Sequence, residues 1–214
     1  MNSELTRDDS PVIVFDLGGV MAEISHTWEG AAACAGVACS ELGGGSTRLN
    51  ALPEFDQYQG GKISLPDYLR ALAAFVGCKQ EEALAVHNGI LVVEYPGIAD
   101  LVKEIHQRKV RTGCLSNTNE PHWECLALNG DYPSIHSLDM KMASHLVGLS
   151  KPSHEIYQAY STAFGLNPES IIFFDDYQVN VNAAAECGWK ARWIDSSGDT
   201  PAQMRAYLSE LGVI

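Results

Sequence analysis

Positive charge is scarce in this chain. Its 214 residues hold 14 Lys and Arg against 27 Asp and Glu, a formal net charge of −13. In the first sixty residues the fixed cations are Arg7 and Arg48 alone. So acidic a surface repels nucleic acid and anionic lipid, which excludes both as expected partners. An anionic substrate would need local help from a metal or a lysine. Cysteine pairs at redox or metal spacing are also missing: Cys34, Cys39, Cys78, Cys114, Cys125 and Cys187 include no CxxC. Most sit in apolar surroundings and read as buried free thiols of a reducing compartment. No long apolar run occurs, since "AAACAGVAC" is too short to span a membrane. The N-terminus "MNSELTRDDS" is polar and acidic, unlike a signal peptide. The expectation is a cytoplasmic protein, monomer or homodimer, with a small-molecule partner.

What the chain does have is a set of short apolar runs that end on polar residues. "VIVF" ends on Asp16, "TGCL" on Ser116 and Asn117, and "IIFF" on Asp175 and Asp176. Continuous runs of this length predict strands buried on both faces, as in a parallel sheet. "ARWI", before Asp195, predicts a fourth. Between them lie helical patterns at 97–109, 153–165, 178–188 and 199–212. The first is apolar at Ile98, Leu101, Val102 and Ile105. The second starts with Ser153 as N-cap and stops at Gly165. This alternation predicts an α/β fold, a Rossmann-like doubly wound parallel sheet. Residues 23–92 break the rhythm. They are rich in Ala, Leu and Gly, carry helical spacing in "SLPDYLRALAAFVG" and "KQEEALAVHNGIL", and show no convincing buried strand. They read as a helical cap inserted into a core made of 1–22 and 93–214.

Ligands of open α/β sheets bind at the carboxyl ends of the strands. Asp16, Ser116, Asn117, Asp175 and Asp176 are therefore expected to converge there, with Lys151 of "GLSKP" placed before a helix. One aspartate after one strand would read as a solvated strand end. Three strands delivering polar residues together do not.

In ordered sequence, "FDLGGV", "LSNTN", "GLSKP" and "FFDD" resemble the four motifs of the haloacid dehalogenase-like hydrolase superfamily. "SNTNEPH", "KPSHEIY" and "FFDDYQVN" are most similar to its bacterial α-glucose-1-phosphate phosphatase branch. The resemblance implies hydrolysis of phosphomonoesters through a covalent aspartyl-phosphate. It makes Asp16 the nucleophile and implies a hard divalent cation, Mg²⁺, on oxygen ligands. Asp16, Asp176 and the Gly18 carbonyl are the implied ligands, with Asp175 a ligand or an outer partner. Ser116 and Asn117 would cradle the phosphoryl group, Lys151 would neutralise it, and Asn180 would brace the metal shell. For His122, substrate contact, proton transfer and loop bracing are all open. Glu23, His26 and Trp28 could face the entrance, and "FDQYQGGKIS" (55–64) resembles a cap segment of the same branch that overhangs the core site, where Lys62 could meet substrate. Gly18 and Gly19 let the chain leave the strand by a sharp turn toward a hairpin flap that gates the site.

Most phosphatases of the superfamily carry an aspartate general acid–base where this chain has Gly18. The glucose-1-phosphate phosphatase branch shares the glycine. Two other readings stand beside the phosphatase. A 2-haloacid dehalogenase would use the same aspartate on carbon without metal, and the Asp175–Asp176 pair argues against it. A non-catalytic binding protein on the same scaffold has only Gly18 in its favour.

Overall fold

The computed structural model describes residues 10–214, so the polar segment 1–9 with Arg7 lies outside the described residues. The strands are β1 (Val12–Phe15), β2 (Ala22–Ile24), β3 (Leu91–Glu94), β4 (Arg111–Ser116), β5 (Met140–Ala143), β6 (Ile171–Asp175) and β7 (Lys190–Trp193). Five of them form a parallel sheet in the order β5-β4-β1-β6-β7. β1 is central and fully buried, which is why it reads as an unbroken apolar run. Its side chains alternate. Ile13 and Phe15 pack on one face with Ile98, Leu101 and Leu208. Val12 and Val14 pack on the other with Ile156, Tyr157 and Trp189. The fold is α/β, with helices on both faces of the sheet.

The helix expected at 97–109 spans Ile98–Gln107 and buries the four residues that its spacing selected. The next spans His154–Ala163; Ser153 occupies the N-cap position without a side-chain capping bond, its hydroxyl being on Glu155 instead. The last two span Gln178–Glu186 and Thr200–Glu210, the latter capped by Asp199, which accepts from the Ala202 amide.

Two features escaped the sequence. β5, "MKMA", lies at the sheet edge, where Lys141 can interrupt the apolar run without being buried. β2 and β3 frame the inserted segment and pair antiparallel. Both are short and largely open, with Val92 and Val93 exposed, so neither looks like a buried strand in sequence. Between them stand α1 (Trp28–Ala35), α2 (Pro53–Gln59), α3 (Leu65–Val76) and α4 (Ala83–Asn88). They close around a core of their own, centred on Trp28, Phe55, Tyr68 and Leu72. Trp28 is thus not at an entrance but wholly buried.

The expectation about cysteines is corrected. Of the six free thiols only Cys114 is buried; Cys34 is exposed and the others are partly so. Cys39 and Cys78 pack at the margin of the insert's core and Cys187 at the margin of one sheet-face core, so they are partly rather than fully covered. Among the described residues no helix is long and apolar enough to cross a membrane.

Candidate active site

The strand order decides what meets. β1 lies between β4 and β6, with Phe15 level with Cys114 and Phe174. The residues that follow these strands therefore share one edge. Asp16 is held there from the backbone outward: its amide donates to Phe174 O at 2.8 Å, and its Oδ1 accepts from Leu17 N at 2.7 Å.

Lys151 lies beneath the nucleophile candidate with its side chain 1% exposed. Its Nζ is 2.9 Å from Asp16 Oδ1 and 2.6 Å from Asp175 Oδ2. Burial works against the ammonium charge, but the two carboxylates outweigh it and hold the lysine above its ordinary value. The peptide bond to Pro152 is cis. Asn117 grips the lysine backbone at both ends: its Nδ2 donates to Lys151 O and its Oδ1 accepts from Lys151 N, each at 2.8 Å. The Asn117 side chain is spent on placing the lysine.

Asp175 and Asp176 are neighbours with opposite surroundings. Asp175 is fully buried, and both its oxygens are committed. Besides Lys151 they accept from Asn180 Nδ2 at 3.0 and 3.1 Å and from Tyr177 N at 2.8 Å. Asp176 has a buried Oδ1 with no hydrogen-bond partner. Burial, then the charges of Asp16 and Asp175, push its carboxyl up to about 8 against the pull of Lys151. Asp16 itself is raised to about 6, chiefly by burial. Carboxylate oxygens of Asp16, Asp175 and Asp176 lie within 4.8 Å of one another. An orphaned buried acceptor (the oxygen that folding should have paired) beside two more carboxylates is a fit for a hard dication. Gly19 keeps the pocket open. Its φ is +76°, and a Cβ there would sit 2.3 Å from Asp176 Oδ2.

A family model described as haloacid dehalogenase-like hydrolase matches residues 11–188. The chain belongs to that family. Among curated relatives it is 32% identical over 126 residues to "Phosphatase MT3486" of Mycobacterium tuberculosis, covering 56% of this chain and 55% of that protein. It is 27% identical over 140 residues to "Protein CbbY" of Cereibacter sphaeroides, covering 60% of each. The chain thus spans little over half the length of these relatives. Among solved structures, a HAD family enzyme of Bacteroides thetaiotaomicron in a magnesium complex superposes with a TM-score of 0.76 at 21% identity, over 92% of this chain and 100% of that one. An L-2-haloacid dehalogenase of Xanthobacter autotrophicus gives 0.61 at 16%, over 86% and 77%. At these identities the structural likeness speaks for the fold.

In this haloacid dehalogenase-like hydrolase the cluster opens into a cavity of about 670 Å³. Asp16, Gly18, Ser116, Asn117, Lys151, Asp176 and Asn180 all line it; Asp175 does not. His122 lines it too, but both ring nitrogens are occupied. Nε2 is 3.0 Å from His87 O and Nδ1 is 3.4 Å from Asn119 Nδ2. Burial lowers the ring to about 4, so it is neutral at pH 7. His26 also lines the wall, whereas Glu23 and Lys62 are exposed away from it. From the insert come Arg48 and Asn50, which sequence reasoning missed as site residues, and Phe55, Asp56 and Gln59, which lie in the segment 55–64 expected to overhang the site but were not named individually. Arg48 left a trace, as one of two cations in sixty residues. The others look like ordinary helix and loop surface.

Proposed function

We propose that this chain is a Mg²⁺-dependent phosphomonoester hydrolase of small phosphorylated metabolites, working through an aspartyl-phosphate on Asp16. The observation that carries the reading is the unpartnered Asp176 oxygen beside Asp16, a carboxylate kept bare and charged only if a cation is meant to meet it. Asp16, Asp176 and the Gly18 carbonyl would hold the metal. Bound Mg²⁺ would cancel the repulsion between these carboxylates and the phosphoryl oxygens and keep them in line.

The chain's own groups do the rest. An Asp16 oxygen attacks phosphorus, and the bond to the leaving oxygen breaks. Lys151 and Ser116 receive the phosphoryl oxygens. The leaving alkoxide takes a proton from solvent water, and a second water then attacks the acyl phosphate, breaking its bond to Asp16 and returning the carboxylate and inorganic phosphate. Asp175 orients Lys151, and Asn180 fixes Asp175. His122, with no free nitrogen, braces the wall rather than moving protons.

The insert 23–92 acts as a cap over the core. Asn50, Asp56 and Gln59 offer amide and carboxylate partners for hydroxyls, and Phe55 offers an apolar face. This suits a sugar phosphate, and glucose 1-phosphate is the preferred candidate. Its leaving group is a hemiacetal hydroxyl, more acidic than an ordinary alcohol, so the missing acid at Gly18 matters less. Free thiols fit a reducing cytoplasm.

The test is hydrolysis of p-nitrophenyl phosphate by purified protein with Mg²⁺, with EDTA, and in Asp16→Asn. Mg²⁺-dependent turnover that EDTA and the substitution both abolish is expected. Chloride release from 2-chloropropionate unaffected by EDTA, with no phosphate release, would replace this reading with the dehalogenase.

A further inference from the structure

Two buried histidines meet across the joint between insert and core. His87 lies in α4. His122 lies in a short helix, α6, spanning Glu120–Trp123 where α5 is the Ile98–Gln107 helix. Their rings stack with centroids 4.0 Å apart and an interplanar angle of 4°. Donor and acceptor chemistry fixes every proton between them. His122 Nε2 faces the His87 carbonyl at 3.0 Å, which can only accept, so Nε2 carries the hydrogen. Its Nδ1 then accepts from Asn119 Nδ2 at 3.4 Å. Asn119 Oδ1 accepts from His122 N–H at 3.2 Å and faces His87 Nε2 at 2.9 Å, so that nitrogen is also a donor. His87 Nδ1 is left as the acceptor for the Tyr68 hydroxyl at 2.9 Å. Both rings are neutral, as full burial favours. Reversing either histidine would set donor against donor or acceptor against acceptor.

The chain of bonds ends where the chemistry begins. Asn119 is three residues beyond Ser116 and two beyond Asn117, which grips Lys151. A second strut reaches the same loop: Ser144 Oγ donates to Gln59 O, at the end of α2, at 2.6 Å and accepts from Thr118 N at 2.9 Å. The loop 116–119 is therefore suspended between the insert and the lysine.

We propose that His87 is a positioning residue for the reaction at Asp16: its Nε2–H bond to Asn119 makes correct seating of the insert a condition for setting the loop that carries Ser116 and the Asn117–Lys151 clamp. Its kinetic consequences rest on the phosphatase reading; its structural one does not.

Three variants separate positioning from packing. His87→Phe keeps a ring for the stack and removes both nitrogens. His87→Gln restores an N–H donor in the place of Nε2. Tyr68→Phe removes only the bond to Nδ1. With p-nitrophenyl phosphate and Mg²⁺, His87→Phe should lower kcat by about 10-fold or more with KM changed little, since small displacements of a placed group cost rate. His87→Gln should recover kcat to within about 3-fold. Tyr68→Phe should lose thermal stability yet keep kcat. Amide exchange at Thr118 and His122 should speed up by about 10-fold in His87→Phe and not in Tyr68→Phe. The proposal is overturned if kcat simply follows Tm across the three variants, or if exchange at Thr118 and His122 does not move. Should His87→Phe fail to fold, Asn119→Ser, which retains an oxygen to cap His122 N–H but cannot reach His87, carries the same expectations. If the wild type hydrolyses no phosphate ester at all, the phosphatase reading falls and exchange at Thr118 and His122 alone decides the role of His87.

Discussion

Replacing Asp176 with asparagine removes one charge at nearly constant shape, and the effect on the metal-free protein follows from the site. In the folded wild type the Asp176 carboxyl titrates at about 8 instead of 3.8, through burial and the Asp16 and Asp175 charges. Asp16 ionises first, at about 6. Its charge then bears on Asp176, which is still neutral at that point. Between about pH 4 and pH 8 the folded state holds a proton that the unfolded state has released. Stability drawn from this site is therefore complete below the unfolded pKa and is lost as pH rises through the folded one. Three pH units, from 5 to 8, correspond to about 4 kcal/mol without screening; the part of Asp176 open to the cavity reduces this to about 2–3 kcal/mol. At roughly 2–4 °C per kcal/mol for a chain of this size, the Tm advantage of Asp176→Asn in EDTA should widen by about 4–12 °C between pH 5 and pH 8. Added Mg²⁺ should raise the wild type and leave the variant almost unmoved, because binding stabilises only the state that binds. Thermal melts of both proteins at pH 5, 6.5 and 8, with EDTA and then with excess Mg²⁺, make the comparison. A gap that does not change with pH, or an asparagine variant less stable at pH 8, would show that the fold does not hold Asp176 against its charge, and the argument for a cation site would fail.

Gly19→Ala should cost about 1–3 kcal/mol, since φ is +76° and the new Cβ would lie 2.3 Å from Asp176 Oδ2. Urea unfolding should show the loss and a Mg²⁺ titration a weaker metal requirement curve; a variant unchanged in both would mean the close approach is not needed. Wild-type kcat/KM should favour glucose 1-phosphate over glucose 6-phosphate, and Gly18→Asp should narrow the ratio by supplying an acid. The new Cβ would lie 3.0 Å from Ile24 Cδ1, the end of a side chain that has to give way by a few tenths of an ångström. A wild type that prefers the 6-phosphate refutes the leaving-group argument.

The sequence alone marked four of the sheet's five strands and the end of the sheet that carries polar residues. β1, β4 and β6 are covered on both faces, so their apolar runs are continuous and the first polar residue after each marks the strand's exit. One-sided burial likewise made the helix expected at 97–109 legible: it spans 98–107 and buries the four apolar residues that its spacing selected. Half-open elements carried a weaker signal: β5 is broken by Lys141 and β2 and β3 are partly exposed, while "ARWI", read as a strand buried on both faces, belongs to β7 at the open sheet edge, where Lys190, Arg192 and Trp193 are exposed. Only the tertiary structure divided the adjacent Asp175 and Asp176. Successive side chains leave a strand in opposite directions, so one carboxylate turns inward to Lys151 and Asn180 and the other toward the cavity, though nothing in "FFDD" says which. His122 is the same lesson at longer range. In sequence it is a histidine beside a phosphate motif. Its stacking partner and its hydrogen-bond acceptor both come from His87, 35 residues away in the insert, and only their packing together leaves it without a free nitrogen.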